Sequence, residues 1–394
     1  MASPPGDSSN DHLVHDAVGG PLPGLEAAAT IAVGVNSLLI LGVLPALLGD
    51  LADHGALTAA GIGQTATLEL LAMGLATAAV GMIKRPRRLK LTAFAASAAL
   101  AALDVASAGA GGGGGLMIVR ALAGGVEGVL LWITVAMIAR TVTPERWVGV
   151  FFTAQVAAQL ALAVAFAVWI MPAFGSRGGF ISLAVVGLAA LLPSLAVPSR
   201  FAPLRVAEGE GGAPPPRGWI ALIGTFVFVS AGGAVAVYLQ PLAHQAGLSA
   251  GVARTALWVA LIAQVAGGAA AVTLAGRVRY FTVFIITSVT DLAVWWIFGQ
   301  HIPAWLFISA NAAAGFVGLF LGPFLVPMTI DADDSRRAAM QSGAAQLLGG
   351  ATGPLLASLV VSDANVHGVL WLAAGLLTAG LAVVTWLRFN KARA

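Results

Sequence analysis

The chain of 394 residues has no cysteine and very little charge. Without cysteine it can form no disulfide framework and no thiolate metal site, and it has no cysteine nucleophile. Charged residues make up only 9% of the chain, whereas they are about a quarter of an ordinary soluble domain. This scarcity excludes an ordinary cytosolic enzyme, a nucleic-acid-binding domain and a disordered chain.

Hydrophobic residues take the place of the missing charge. They make up 59% of the sequence, and the mean hydropathy is +0.92. Because a membrane-spanning helix needs about 20 apolar residues, we predict an all-α, polytopic membrane protein. Continuous apolar runs exclude a transmembrane β-barrel, whose strands alternate over about ten residues. The twelve predicted segments are 25–48, 62–83, 90–108, 116–139, 148–171, 180–197, 219–242, 251–275, 280–299, 303–329, 338–361 and 367–387.

The distribution of basic residues predicts the orientation. Of the 20 Lys and Arg residues, 17 fall in the even-numbered connections and the C-terminal tail. The positive-inside rule therefore places both termini in the cytoplasm. Residues 1–24 contain three aspartates and no Lys or Arg, which is not typical of a secretory signal. We predict that they form a disordered cytoplasmic tail, in a multi-pass protein of the bacterial inner membrane.

The sequence is divided into two similar halves. A Pro-, Gly- and Glu-rich linker at 198–217 separates a six-helix bundle at 25–197 from another at 218–388, and 389–394 form a second tail. At an offset of 191 residues the halves repeat the same residue types, as in these pairs: Leu57 with Leu248, Arg88 with Arg279, Gly124 with Gly315, Arg146 with Arg337, and Gln155 with Gln346. A parallel repeat predicts two bundles that rock about a shared central site.

These features, together with two local motifs, resemble the major facilitator superfamily. The loop Gly81–Arg88 is similar to the family's basic loop after helix 2, although the Asp of that loop is missing. The run Arg120-x-x-x-Gly124-x-x-Glu127-Gly128 resembles the helix-4 signature of organic-anion and spinster-like members. The resemblance implies twelve helices, alternating access, and roles for the Arg in substrate binding and the Glu in proton coupling. The Gly-x-x-x-Gly-Pro motif of drug antiporters is absent from helix 5 but present in helix 11 at 349–354.

The fourth segment carries two of the few charges inside the membrane. Glu127 follows Arg120 by seven residues, so it lies about 10 Å deeper on nearly the same face of the helix. A cation beside a carboxylate suits a site that binds an anion and accepts a proton. Alternatively, Asp104 of the third segment lies at a similar depth and pairs with Arg120 only to hold two helices together. Charged groups in hydrocarbon cost about 2.5–3.5 kcal/mol each, so they need a partner or a function.

We predict proton coupling by Glu127, Glu69 and Asp104. Substrate binding is predicted for six residues: Arg120, Tyr238, Asn311, Gln346, Asn36 and Gln155. Each neutral residue in this set has an alternative role in a hydrogen bond between helices. Arg120 and Glu127 correspond in the repeat to Asn311 and Gly318, so the charged chemistry lies in the N-terminal half.

Two functions fit these predictions. The first is proton-coupled transport of a small organic solute, with an organic anion favoured if Arg120 binds it. The second is proton-antiport efflux of amphipathic drugs or metabolites, in which Arg120 has a structural role. We predict no enzymatic activity, since the predicted helices contain no metal cluster or nucleophile dyad. No cofactor or metal is predicted; the partners are a small-molecule substrate, protons and the lipid bilayer, not nucleic acid, and the functional unit is a monomer.

Overall fold

The computed structural model describes residues 24–57, 59–82, 88–201, 212–361 and 365–390. The predictions for residues 1–23 of the N-terminal tail, for most of the loop after helix 2, for residues 202–211 of the linker and for residues 391–394 of the C-terminal tail lie outside these residues. The helices are α1 (Gly24–Leu38), α2 (Ile40–Asp53), α3 (Ala59–Gly81), α4 (Leu89–Gly109), α5 (Gly113–Ile138), α6 (Pro144–Ala165), α7 (Met171–Ala189), α8 (Leu191–Ser194), α9 (Pro216–Val237), α10 (Leu239–Gln245), α11 (Ala250–Leu274), α12 (Tyr280–Phe298), α13 (Ala304–Ala332), α14 (Arg337–Ser358) and α15 (Gly368–Phe389).

Nine helical stretches of the described residues are long and apolar enough to cross a membrane. One of them, Pro144–Ser194, has 51 residues and holds two crossings, because a π-helical turn at Phe166–Ile170 and a kink at Gly175 redirect the chain. The helices α3 and α14, with 23 and 22 residues, complete the twelve crossings. The two helices pack against each other between the halves, where Leu348 lies against Gly74. The predicted all-α fold with twelve membrane helices is confirmed.

The first crossing differs from the single segment predicted at 25–48. It runs from Gly24 to Asp53 and breaks at Leu39, between α1 and α2. The break leaves the carbonyl of Leu38 available, and the Nε2 of Gln159 in α6 donates a hydrogen bond to it at 2.5 Å. A buried carbonyl freed by a helix break needs such a partner. The break therefore ties the first crossing to α6.

The repeat predicted from the sequence recurs in the packing of the two halves. A Cβ on Gly124 would clash with the carbonyl oxygen of Glu69, where α5 crosses α3. A Cβ on Gly315 would clash in the same way with the carbonyl oxygen of Ala260, where α13 crosses α11. Both residues of the second contact lie 191 positions after those of the first. The same close helix crossing is thus built twice.

The Gly-x-x-x-Gly-Pro motif of α14 has a packing role inside the C-terminal half. A Cβ on Gly349 would press on the carbonyl oxygen of Phe226, and one on Gly353 on that of Ser230. Both acceptors belong to α9. The two glycines therefore let the backbones of α14 and α9 approach closely, as small residues do between membrane helices.

The halves meet at the end of the bundle that carries the basic loops, which we call the basic end. Arg336 donates from Nη1 to the carbonyls of Ala139 (2.7 Å) and Thr141 (3.1 Å), just after α5 ends. Gln341 donates from Nε2 to the carbonyl of Ala78 in the last turn of α3, at 3.1 Å. Terminal helix carbonyls lack partners in their own helix, and a guanidinium there complements the helix dipole. We call these contacts of Arg336 and Gln341 the basic-end latch.

Arg336 also faces an acidic residue of the other half. Burial lowers the pKa of Arg336, and Glu145 at the start of α6 acts in the opposite direction. Glu145 and Arg336 are 191 positions apart. Equivalent positions of the repeat therefore carry opposite charges where the two halves meet.

Candidate functional site: a buried ion cluster beside a central cavity

Arg120 lies at the centre of a buried cluster of charges. Its guanidinium donates two hydrogen bonds to Glu69, one of them from Nε at 3.1 Å. It also donates to Asp104 at 2.8 Å and to Glu127 at 3.3 Å. The structure brings together all three residues predicted to couple protons, with Arg120 between them. We call these four residues the ion cluster.

Three neighbouring helices deliver these side chains. Glu69 comes from α3, Asp104 from α4, and both Arg120 and Glu127 from α5, seven residues apart as the helical geometry required. The absence of a side chain at Gly124, between the last two, lets α5 approach α3 closely enough for the contact.

The ion cluster is sealed from solvent. Arg120 and Glu69 have no exposed surface, Glu127 is 1% exposed and Asp104 is 4% exposed. The ring of Phe180, from α7, lies over the guanidinium with its centroid 5.8 Å from Cζ. Four ionisable side chains are thus held in a low-dielectric interior, where each interacts strongly with the others.

The charges of the ion cluster do not balance. One guanidinium faces three carboxyl groups, so full ionisation would leave two excess negative charges. Among the described residues, the Oε2 atom of Glu127 has no hydrogen-bond partner. Glu127 also makes the longest of the charged contacts with Arg120. Of the three carboxyl groups, that of Glu127 is therefore the most weakly hydrogen-bonded to the guanidinium.

A separate cavity of about 180 Å³ lies between the two halves. We call it the central cavity. Its walls come from the first crossing, α5 and α6 of the N-terminal half, and from α13 and α14 of the C-terminal half. Most of the lining is aliphatic or aromatic, with Phe151 and Phe152 on one wall. The polar side chains in the lining are Gln155 and Gln346, two of the predicted substrate-binding residues.

The other predicted substrate-binding residues lie elsewhere. Arg120 belongs to the ion cluster and is not among the lining residues of the central cavity. Asn311 donates from Nδ2 to the carbonyl of Ala256 at 2.9 Å, which links α13 to α11. Tyr238 lies between α9 and α10 and packs against the core of the C-terminal half. Asn36 lines a different cavity, on the outer side of α1.

The sequence reasoning missed two members of this region. Ser107 lies one turn after Asp104, with its Oγ 3.5 Å from Nη1 of Arg120, and the three-residue spacing on one helix could have revealed it. Phe180 lies 60 residues from Arg120, and no sequence pattern connects them.

No protein-family model and no curated protein sequence matches the chain. Solved structures do match it, over nearly the whole length. The transporter FucP, in its outward conformation, aligns with a TM-score of 0.72 at 13% identity, covering 92% of this chain and 98% of FucP. The protein has the major facilitator superfamily fold.

Two further structures with this fold are similar to the chain. The proton:xylose symporter XylE, bound to 6-bromo-6-deoxy-D-glucose, gives a TM-score of 0.68 at 14% identity and covers 96% of both chains. The human organic anion transporter MFSD10 gives 0.66 at 14% identity, covering 92% of this chain and all of MFSD10. The resemblance to the major facilitator superfamily found in the sequence is therefore confirmed at the level of the fold.

Proposed function

We propose that the protein is a proton-coupled secondary transporter of a small, largely apolar organic solute. The observation that carries the proposal is the excess of carboxyl groups around Arg120. In this proposal the two bundles alternate access to the central cavity, each molecule works as a monomer, and the ion cluster carries the proton. The major facilitator fold supports such a transport cycle, since its halves enclose a site between them.

The proton argument rests on the cost of charge in hydrocarbon. Each excess charge costs at least about 2.5–3.5 kcal/mol there, so the cluster favours holding a proton on one carboxyl. Glu69 accepts two hydrogen bonds from the guanidinium and is the carboxyl most closely paired with it. Glu127, with its uncommitted Oε2 atom, is the proton carrier. A small helix movement that changes the 3.3 Å contact to Arg120 would change its affinity for the proton.

The solute argument rests on the lining of the central cavity. No charged side chain is among the described residues that line it. Two amides, Gln155 and Gln346, offer donors and acceptors on a largely apolar wall. The sequence is compatible with two functions, which differ in whether Arg120 binds the solute or has a structural role. Arg120 donates hydrogen bonds to three carboxyl groups, so its guanidinium is not available to bind an anion. This favours a neutral or amphipathic solute, as in the antiport hypothesis.

An organic anion is the second candidate. The similarity to MFSD10, an organic anion transporter, favours it. In that case the hydrogen bonds between Glu69 and Arg120 would break, and the guanidinium would bind the solute. In the first candidate function the Arg120–Glu69 ion pair stays intact during transport, whereas in the second it breaks.

The proposed location is the bacterial inner membrane with both termini in the cytoplasm. It rests on the distribution of Lys and Arg, which places the basic end, and with it the basic-end latch, on the cytoplasmic side. The contacts of the latch then close the cytoplasmic side of the cavity.

The test is proton movement in proteoliposomes that contain a trapped pH dye. Panels of organic acids and of amphipathic drugs are added to the wild type, to Glu127→Gln and to Asp291→Asn. Asp291 lies in the middle of α12 and provides the same chemical change away from the ion cluster. We expect amphipathic compounds to drive proton movement in the wild type and in Asp291→Asn, and Glu127→Gln to abolish it.

Exchange of labelled solute across the same membranes separates coupling from binding. We expect Glu127→Gln to retain exchange, because exchange requires no net release of the proton. Proton movement driven only by organic acids, and lost in Arg120→Lys, would replace the proposal by the anion candidate. Proton movement unaffected by Glu127→Gln would refute the role of the cluster.

A further inference from the structure

A second cavity lies on the outer side of the N-terminal half. It has a volume of about 610 Å³ and is bounded by α1, the start of α6, and the end of α7 with α8. Several of its lining residues, such as Ala32 and Val150, are exposed on the surface of the bundle. Because the exposed lining lies on membrane-crossing helices, the cavity faces the bilayer along its length, from the helix end at Gly24 inward to Asn36. We call it the lateral groove.

The lateral groove contains one buried amide without a partner. Asn36 lines it and is 9% exposed. Within the described residues, its Nδ2 atom has no hydrogen-bond partner. An amide donor in an apolar medium costs free energy until it meets an acceptor. The groove is therefore incomplete without a molecule that supplies one.

The depth of Asn36 restricts what that molecule can be. Asn36 follows Gly24, the first residue of α1, by twelve positions, so it lies about 18 Å along the helix. The first crossing, Gly24–Asp53, is about 44 Å long at about 1.5 Å per residue, whereas the hydrocarbon core of a bilayer is about 30 Å thick. A crossing centred in the bilayer therefore places Asn36 about 10 Å inside the edge of the core, where the ester carbonyls of a phospholipid lie. No charged side chain is among the described residues lining the groove, which favours a neutral occupant.

The lateral groove and the central cavity share a wall. Leu39 and Ala154 line the groove, whereas their sequence neighbours Leu38 and Gln155 line the central cavity. One layer of helix therefore separates the two spaces. The wall also contains the break between α1 and α2 at Leu39, the point in the first crossing where the backbone can bend most easily.

We propose that the lateral groove binds the transported solute as it arrives from the bilayer. The occupant is a neutral, apolar molecule with a hydrogen-bond acceptor that meets the amide of Asn36. This inference rests on the proposed function, because it assigns the groove to the solute that the central cavity carries. It adds a membrane-facing binding site before the central one.

Photolabelling of the full-length protein in lipid nanodiscs tests the proposal. One probe is a neutral long-chain ketone that carries a diazirine, and the other is phosphatidylcholine with a diazirine on an acyl chain. Labelled peptides are mapped by mass spectrometry. We expect the ketone to label α1 and the start of α6, and Asn36→Leu to reduce this labelling about fivefold, the effect of losing one hydrogen bond. Labelling by phosphatidylcholine should not change.

A second pair of variants tests the groove without changing Asn36. Ala32→Phe fills the groove from an exposed position, whereas Ala95→Phe makes the same change on the exposed face of α4. We expect the first to reduce ketone labelling and the second to leave it unchanged. Ketone labelling that neither Asn36→Leu nor Ala32→Phe reduces would overturn the proposal. So would phosphatidylcholine labelling that depends on Asn36, since the groove would then be a lipid site.

The same experiment separates this proposal from the proposed function. Groove labelling that depends on Asn36, without any proton movement driven by the solute panels, would refute coupled transport and keep the groove as a binding site. Proton movement without such labelling would refute only the groove.

Discussion

Gln155 and Gln346, 191 positions apart in the sequence, line the same cavity from opposite halves of the molecule. The repeat relates α6 to α14, so its axis passes between the two glutamines. Equivalent positions near such an axis are neighbours, whereas those far from it are separated by the width of the protein. The pair therefore places two chemically identical groups on the walls of one cavity.

Replacing either glutamine should weaken solute binding without affecting the fold. We expect Gln155→Leu and Gln346→Leu each to raise the half-saturating solute concentration about five- to tenfold, the effect of one lost hydrogen bond. The measurement is solute-driven proton movement as a function of concentration. Gln159→Leu is the matched control, because Gln159 lies one turn further along α6 and bonds the carbonyl of Leu38. It should alter stability but not solute affinity.

The stability of the ion cluster should fall when its cation is removed but not when the carboxyl of Glu127 is replaced by an amide. Arg120→Met leaves three buried carboxyls without a counter-charge and should lower the free energy of unfolding by about 3–5 kcal/mol. Glu127→Gln preserves the shape and is equivalent to the proton-carrying form of Glu127, so stability should be equal or higher. Unfolding in detergent micelles, followed by circular dichroism, measures both. Equal destabilisation by the two variants would contradict the excess of negative charge.

The two repeated helix crossings should be equally intolerant of a methyl group. Gly124→Ala and Gly315→Ala each place a Cβ against a backbone carbonyl, and each should destabilise the protein by about 1–3 kcal/mol. Gly125→Ala and Gly318→Ala are the controls, since a Cβ on either meets no atom within 4 Å. The same unfolding assay applies. If one half tolerated its alanine, the crossings would not be equivalent.

Removing the guanidinium of the basic-end latch should open that end of the molecule. We expect Arg336→Ala to increase maleimide labelling of a cysteine introduced at Leu348, which packs on Gly74 between the halves. A loss of about 1 kcal/mol changes a population ratio about fivefold, so the labelling rate should rise by that factor. The natural chain has no cysteine, so the introduced thiol is the only one.

Arg217 provides the control for this measurement. It donates to the carbonyls of Leu387 and Asn390 at the end of α15, 3.0 Å from each. This is the same kind of contact as that of Arg336, but it lies within one half. Arg217→Ala should therefore leave the labelling rate unchanged, and an equal rise in both variants would indicate general loosening rather than opening.

The sequence predicted the fold because lipid imposes simple rules on composition and length. It also predicted that Arg120 and Glu127 share a helix face, and it named Asp104 as an alternative partner. It did not place Glu69 beside Arg120, because the rotation of α3 about its own axis depends on packing that one sequence does not reveal. For the same reason it could not separate Gln155, which faces the cavity, from Asn311, which bonds a neighbouring helix.

The separation of the ion cluster from the central cavity has an evolutionary consequence. The described cavity lining contains none of the four ionisable side chains of the cluster, so mutations can reshape the cavity while the cluster keeps its internal contacts. If the cluster carries the proton, as proposed, selection can then change solute specificity and proton coupling independently. A few apolar substitutions in the cavity would alter which solute is bound and leave the proton site unchanged.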